Sequence, residues 1–263
     1  MSRFLIELQY DGTDFVGWQE QPNGRTVQGE LQERLSTILR QPIKVVGAGR
    51  TDTGVHATSM VAHLDVSEEL AERLPEAIFR LNRFLPPDIL ILKLQSVAPD
   101  FHARFSATSR SYGYYLTLYP SPFRRKYHTL VTTPLDFEQM NRAASKLIGR
   151  HDFSSFAKKH SDVTNHFCTV TQAEWQDLGD GEWVFKVTAN RFLRSMVRAL
   201  VGTLLEVGMG NLTPEEFAAI LERADDEYPF NTASATGLRL EAVTYPPHLL
   251  GTPLFQAPTD HRI

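Results

Sequence analysis

The chain has a single cysteine, Cys168, among its 263 residues. One thiol cannot close an intrachain disulfide, and with no second cysteine it cannot hold a thiolate metal cluster, so Cys168 reads as a small buried hydrophobe. No apolar run reaches the roughly 18 residues that span a bilayer, which leaves no membrane partner to expect. The opening MSRFLIELQYDG enters a strand-like alternation at once and lacks the form of a secretion signal, so the cytoplasm is the expected location. Walker and GxGxxG loops are missing too, and Gly47-Ala48-Gly49 runs into Arg50 without a phosphate-cradling lysine, so no nucleotide cofactor is expected. His151, His160, His166 and Cys168 fit no tetrahedral zinc spacing, and no metal is expected.

Excess positive charge is also lacking. Lys+Arg number 27 against 31 Asp+Glu, a net charge of -4, and that average argues against a phosphate-backbone partner. The distribution argues otherwise. Between Asp100 and Asp136 there is no acid, while Arg104, Arg110, Arg124, Arg125 and Lys126 lie there among tyrosines, phenylalanines and histidines. Between Glu182 and Glu206 stand only Lys186, Arg191, Arg194 and Arg198, and the stretch from Arg40 through Lys44 to Arg50 is again acid-free. The acids gather elsewhere, at Glu68, Glu69, Glu72 and Glu76 and at Asp225, Asp226 and Glu227. The basic stretches either converge on one positive cleft for phosphates or form ordinary solvated faces.

With 42% hydrophobic residues the chain has material for a core and a length suited to one or two domains. Residues 4–10 alternate as a strand, and Thr26 caps a helix whose Val27, Leu31, Leu35, Ile38 and Leu39 recur on one face until Gln41-Pro42. Residues 43–46 and 59–66 are strand-like, 67–84 is helical with a break or restart at Pro75, and 89–97 returns to strand, giving β-α-β-β-α-β. The second half predicts a strand at 109–118, a helix at 136–148, two strands at 169–177 and 182–189 joined by a Leu-Gly-Asp-Gly hairpin, and a helix at 192–207 that Gly208 can end. Thr213-Pro214-Glu215-Glu216 starts another helix, and 237–243 forms a last strand. Two α+β lobes with mainly antiparallel sheets follow, 1–104 and 105–263, each resembling a split β-α-β (ferredoxin-like) design, with a cleft between them.

The segment GAGRTDTGVHA (47–57) fits neither period and packs glycines, an arginine, a carboxylate and a histidine into one inter-strand loop. Asp52 there either does chemistry or merely bonds nearby backbone in a turn. A working aspartate inside a cleft must stay ionised against burial, so a cation should lie within reach. Arg198 is the candidate, on a helix otherwise apolar around it, unless its head simply reaches water. Tyr112 and Tyr114 share one strand face and Tyr115 the other, so a ring is available for stacking on an extruded base. Asp52-Thr53-Gly54 also spells the aspartic-peptidase tripeptide, which would need a second such aspartate from a partner chain.

GAGRTDTGVHA closely resembles the signature loop of the A-type tRNA pseudouridine synthases, the TruA family. The resemblance continues through YDGTDFVGWQ (10–19), FHARFSATSRSYGYYL (101–116) and NRFLRSMVRALVG (190–202) in family order. It departs at Ser59-Met60, where Gly-Gln is usual, and at residues 162–167, which lack an arginine common there. The resemblance implies isomerisation of uridine to pseudouridine at positions 38, 39 and 40 of the tRNA anticodon stem-loop, by a homodimer with no cofactor. It implies that Asp52 is catalytic, that Arg198 partners it, that Tyr112 packs against the base and that Arg50 helps displace the target uridine. Phe101, His102, Ala103, Arg104 and Phe105 would contact tRNA. A non-catalytic tRNA-binding protein of the same fold is the remaining alternative.

Overall fold

A computed structural model describes residues 1–158, 165–229 and 231–257. Along the chain run β1 (Ser2–Tyr10), α1 (Val27–Leu39), β2 (Val46–Gly47), β3 (His56–Val66), α2 (Glu68–Ala71), α3 (Leu74–Phe84) and β4 (Ile89–Val97). Then follow β5 (Ser109–Thr117), β6 (Thr129–Leu130), α4 (Phe137–Ser145), β7 (Gly149–Asp152), β8 (Phe167–Gly179), β9 (Glu182–Ala189), α5 (Met196–Gly208) and α6 (Pro214–Arg223). The last elements are β10 (Leu238–Thr244) and β11 (Leu250–Gln256). No helix among the described residues is long and apolar enough to cross a membrane.

The chain forms two compact units, Met1–Thr108 with Leu240–Ile263, and Ser109–Arg239. The division at 104/105 expected from sequence therefore differs at its end, because the chain returns to the first unit from Leu240 onward. Main-chain pairing is the physical reason: β11 lies antiparallel on β4, with Leu250 opposite Val97 and Gln256 opposite Lys93.

In the first unit the strands lie in the order β11-β4-β1-β3-β10. β1 is the antiparallel centre, burying Phe4, Leu5, Ile6, Leu8 and Tyr10, with Ile6 opposite Ala62 on β3 and Leu94 on β4. Helix α1 starts as its sequence dictates, the Thr26 hydroxyl accepting from the Gly29 amide, and it buries Val27, Leu31, Leu35 and Leu39. Residues 43–45 do not form the strand expected. Ser36 and Gln32 of α1 accept the Ile43 and Val45 amides through their side chains, so this backbone is satisfied by the helix and pairs only at β2. The helix expected at 67–84 restarts as α3, with Pro75 in its first turn where no amide is needed.

In the second unit the order is β5-β9-β8-β7, antiparallel throughout, with the short β6 parallel to β5. The β8–β9 hairpin turns through Asp180 and Gly181, both in the left-handed region. Helix α4 is capped by Asp136, which accepts from the Gln139 amide, and α6 carries a full capping box between Thr213 and Glu216. Helix α5 begins at Met196, not 192, because Ser195 has a left-handed backbone (φ 61°) that no helix can include. It ends at Gly208, where a Cβ would lie 2.5 Å from the Met140 sulfur of α4.

Candidate active site

Asp52 sits, half-buried, on the loop between β2 and β3. β2 ends at Gly47, so no strand runs into Asp52 as the aspartic-peptidase tripeptide would require. The Val55 amide donates to the Asp52 carbonyl at 3.1 Å and closes a turn through the main chain. What holds the turn in place is residues 10–18. The Trp18 amide donates to the Thr51 carbonyl (3.1 Å) and the Gly54 amide to the Phe15 carbonyl (3.2 Å). The Thr53 hydroxyl donates to the Val16 carbonyl (3.1 Å), and the Tyr10 and Thr51 hydroxyls bond at 2.8 Å. His56 Nδ1 lies 3.0 Å from the Gly12 amide nitrogen and 3.2 Å from the Asp11 carboxylate.

Two glycines make this approach possible. A Cβ on Gly12 would stand 2.0 Å from the Val55 carbonyl oxygen, and one on Gly17, whose φ is +115°, would stand 2.5 Å from that of Thr51. The first loop is itself anchored by Arg25, which lies 4.3 Å over the Phe15 ring and bridges Glu30 and Asp88. Those carboxylates raise the Arg25 guanidinium above its ordinary value, Asp88 contributing most. The YDGTDFVGWQ segment is thus the clamp of the aspartate loop, a role its sequence pattern alone did not reveal. Arg50, in the same loop, is exposed.

The FHARF segment lies in the same unit. Phe101 and Ala103 are fully buried, whereas Phe105 is 76% exposed and rests on the His102 ring at 4.4 Å between centroids. His102 Nδ1 accepts the Arg104 and Phe105 amides, Arg3 donates to the Phe101 carbonyl, and Tyr245 donates to that of Ala103. The segment therefore offers Arg104 and Phe105 outward on a rigid base, while Phe101 and Ala103 serve packing.

Beneath it, His63 Nδ1 accepts the Ala103 amide at 3.1 Å. Burial, and then the Arg3 and His102 charges, push His63 down from 6.5 to about 4. Unfolded chain takes up a proton at about 6.5 while native His63 stays neutral. Stability present above about pH 6.5 is therefore lost as the pH falls toward about 4. The expected loss is on the order of 2 kcal/mol, and His63→Gln should flatten that part of a denaturant-midpoint profile against pH.

Tyr112 and Arg198 belong to the second unit. Tyr112 is partly exposed on β5, its ring edge-on to Phe192 at 5.1 Å, while Tyr114 is buried and bonded to the Thr129 hydroxyl. Burial raises the Tyr114 phenol to about 12, against the opposing Thr129 hydrogen bond and, less, the Arg198 charge. Arg198, on α5, donates from Nε to the Ala233 carbonyl (2.7 Å), and its own carbonyl accepts the Ala233 amide (3.0 Å). Gly202, one turn on, lets this segment approach: a Cβ there would meet the Asn231 carbonyl at 2.0 Å. Arg198 is thus oriented by main chain, its Nε and its own carbonyl both tied to Ala233. Asp52, Arg50 and the FHARF residues belong to one unit, and Tyr112 and Arg198 to the other. Among the described residues no cluster of His, Cys, Asp and Glu is arranged to hold a metal ion. Residues 162–164 of the departing segment, and His160, lie outside the described residues.

A family model described as tRNA pseudouridine synthase matches residues 8–106 and 143–246. The chain is 49% identical over 248 residues to tRNA pseudouridine synthase A of Bacteroides thetaiotaomicron, covering 94% of this chain and 91% of that protein. It is 48% identical over 250 residues to the protein of the same name from Porphyromonas gingivalis, covering 95% and 99% respectively. The matched segments contain the clamp, the aspartate loop, the FHARF segment and all of α5; Tyr112 falls between them. With most of its length matched, this chain belongs to the tRNA pseudouridine synthase family, enzymes that isomerise uridine to pseudouridine in tRNA.

Proposed function

We propose that this enzyme acts on the anticodon stem-loop of tRNA, converting uridines 38, 39 and 40, as a homodimer in the cytoplasm and without metal or organic cofactor. The observation that supports it best is Asp52, half-buried on a loop clamped by five hydrogen-bonding residues within the segment that the family model matches. The reaction breaks the N1–C1′ bond, turns the uracil and forms C5–C1′; the C5 proton leaves to solvent and N1 gains one. Nothing is oxidised or hydrolysed, so one carboxylate suffices. Asp52 either adds to the sugar or removes a sugar proton to give a glycal. Arg50 helps displace the target nucleotide, Tyr112 packs against its base, and Phe101, His102, Ala103, Arg104 and Phe105 form an RNA-facing segment, with Arg104 and Phe105 its outward groups. Modification at several adjacent positions requires recognition of backbone and shape more than of base edges.

The test is tritium release from unmodified tRNA labelled at uridine C5, followed by mapping of the modified positions. Release is expected, confined to 38–40; none from wild type, or release from other arms of the tRNA, rejects the proposal. The role of Arg198 as positioning partner of Asp52 rests on the sequence resemblance. Arg198→Ala is expected to lower single-turnover rate by about 100-fold while tRNA affinity changes only a few-fold, with partial recovery in Arg198→Lys. A loss confined to affinity would contradict that role.

A further inference from the structure

Residues 118–128, between β5 and β6, lie outside both segments matched by the family model. They contain the densest basic run of the chain, Arg124-Arg125-Lys126, beside Phe123. Their backbone is well determined by its own bonds: the Arg124 and Arg125 amides donate to the Ser121 carbonyl, and the Tyr127 and His128 amides to that of Arg124. Glu182, at the start of β9, then ties the turn to the sheet by accepting from Arg124 and lying 3.2 Å from His128 Nε2. Arg124 is therefore structural. The Arg125 and Lys126 side chains are exposed and make no ion pair or hydrogen bond among the described residues. Phe123 is 90% exposed, and Tyr119 beside it 63%. Arg125 itself lines an open cavity of about 270 Å³ together with Thr117, Pro120, Ser121, Pro122, His128 and Leu130.

We infer that this turn is a second RNA-contact surface, binding the tRNA backbone through Arg125 and Lys126 and stacking an exposed base on Phe123, apart from the nucleotide being modified. A rigid turn that holds out a bare aromatic ring and two unneutralised cations has the composition of a single-stranded RNA platform, in which phosphates meet the charges and a base meets the ring. The carboxylate tied to it, Glu182, is already engaged by Arg124 and His128. This deepens the reading of the chain as a tRNA-modifying enzyme and rests on it.

The experiment measures binding of full-length unmodified tRNA over a series of salt concentrations. Four proteins are compared: wild type, Arg125→Ala/Lys126→Ala, Phe123→Ala and Phe123→Trp. The double variant should bind roughly tenfold more weakly and its salt slope should shrink by about 1 to 2, since each phosphate contact contributes about 0.7 to 0.9. Phe123→Ala should lose roughly tenfold, and Phe123→Trp should restore it. Saturated pseudouridine formation should fall less than affinity in each. All these side chains are exposed, and unchanged melting temperatures confirm that the variants fold. Unaltered affinity and slope in the double variant and in Phe123→Ala, with wild type active, overturn this inference and leave the proposed function standing. Altered sedimentation in step with the loss of affinity also overturns it, because the patch is then a contact between copies. Wild type that neither binds nor modifies tRNA defeats the underlying reading instead.

Discussion

Asp52→Asn is expected to lower pseudouridine formation by about 10⁴-fold or more while tRNA affinity stays within a few-fold. Asparagine keeps the shape of aspartate, and the turn around position 52 is closed by main-chain bonds, from the Val55 amide to the Asp52 carbonyl and from the Trp18 amide to the Thr51 carbonyl. The loop should therefore survive the change. What disappears is the one chemical property the reaction needs: an amide neither adds to C1′ nor removes a sugar proton. Tritium release under single-turnover conditions measures the rate, and filter binding of the same labelled tRNA measures affinity. Residual activity within tenfold of wild type would remove Asp52 from the chemistry.

Gly17→Ala is expected to reduce activity by about 100-fold and to destabilise the chain by several kcal/mol, although residue 17 touches no substrate in the proposed mechanism. Its backbone is left-handed (φ +115°), and a Cβ would lie 2.5 Å from the Thr51 carbonyl oxygen. That oxygen is main chain, directly before Asp52, and accepts the Trp18 amide. It cannot rotate away as a side chain would, so either the clamp or the aspartate loop must shift. A displacement of about 1 Å at a reacting group costs roughly two orders of magnitude in rate. Thermal unfolding and tritium release separate the two effects. Wild-type melting temperature and rate together in Gly17→Ala would show that the loops are not coupled as described.

Strand and helix types were read well where the local pattern is strong. The 3.6-residue spacing of Val27, Leu31, Leu35 and Leu39 marks α1, and Thr26 marks its start, because both depend on neighbours in sequence. The same holds for the Asp180-Gly181 hairpin and the Thr213 capping box. Misreadings fell where a distant group satisfied the backbone. Ile43 and Val45 look like a strand but bond to side chains of α1. Strand β11, with Gly251, Thr252, Pro253 and Leu254 exposed, carries no alternation to read and exists through its pairing with β4. The left-handed Ser195 that delays α5 has no signal in its residue type.

The amino-acid order alone determined the family of this chain and the loop that carries its carboxylate, because GAGRTDTGVHA and its three companion segments are specific strings whose chemistry depends on residue type. Only the tertiary structure decided what holds that loop still. The contacts from Tyr10, Gly12, Phe15, Val16 and Trp18 join residues some forty positions apart, and all but the Tyr10–Thr51 hydroxyl bond use a main-chain atom of the clamp, which every residue type shares and no local pattern encodes. It likewise decided that Arg124 is spent on Glu182 while Arg125 and Lys126 face outward, a distinction between adjacent cations that sequence cannot draw, since it depends on what the fold places beside each.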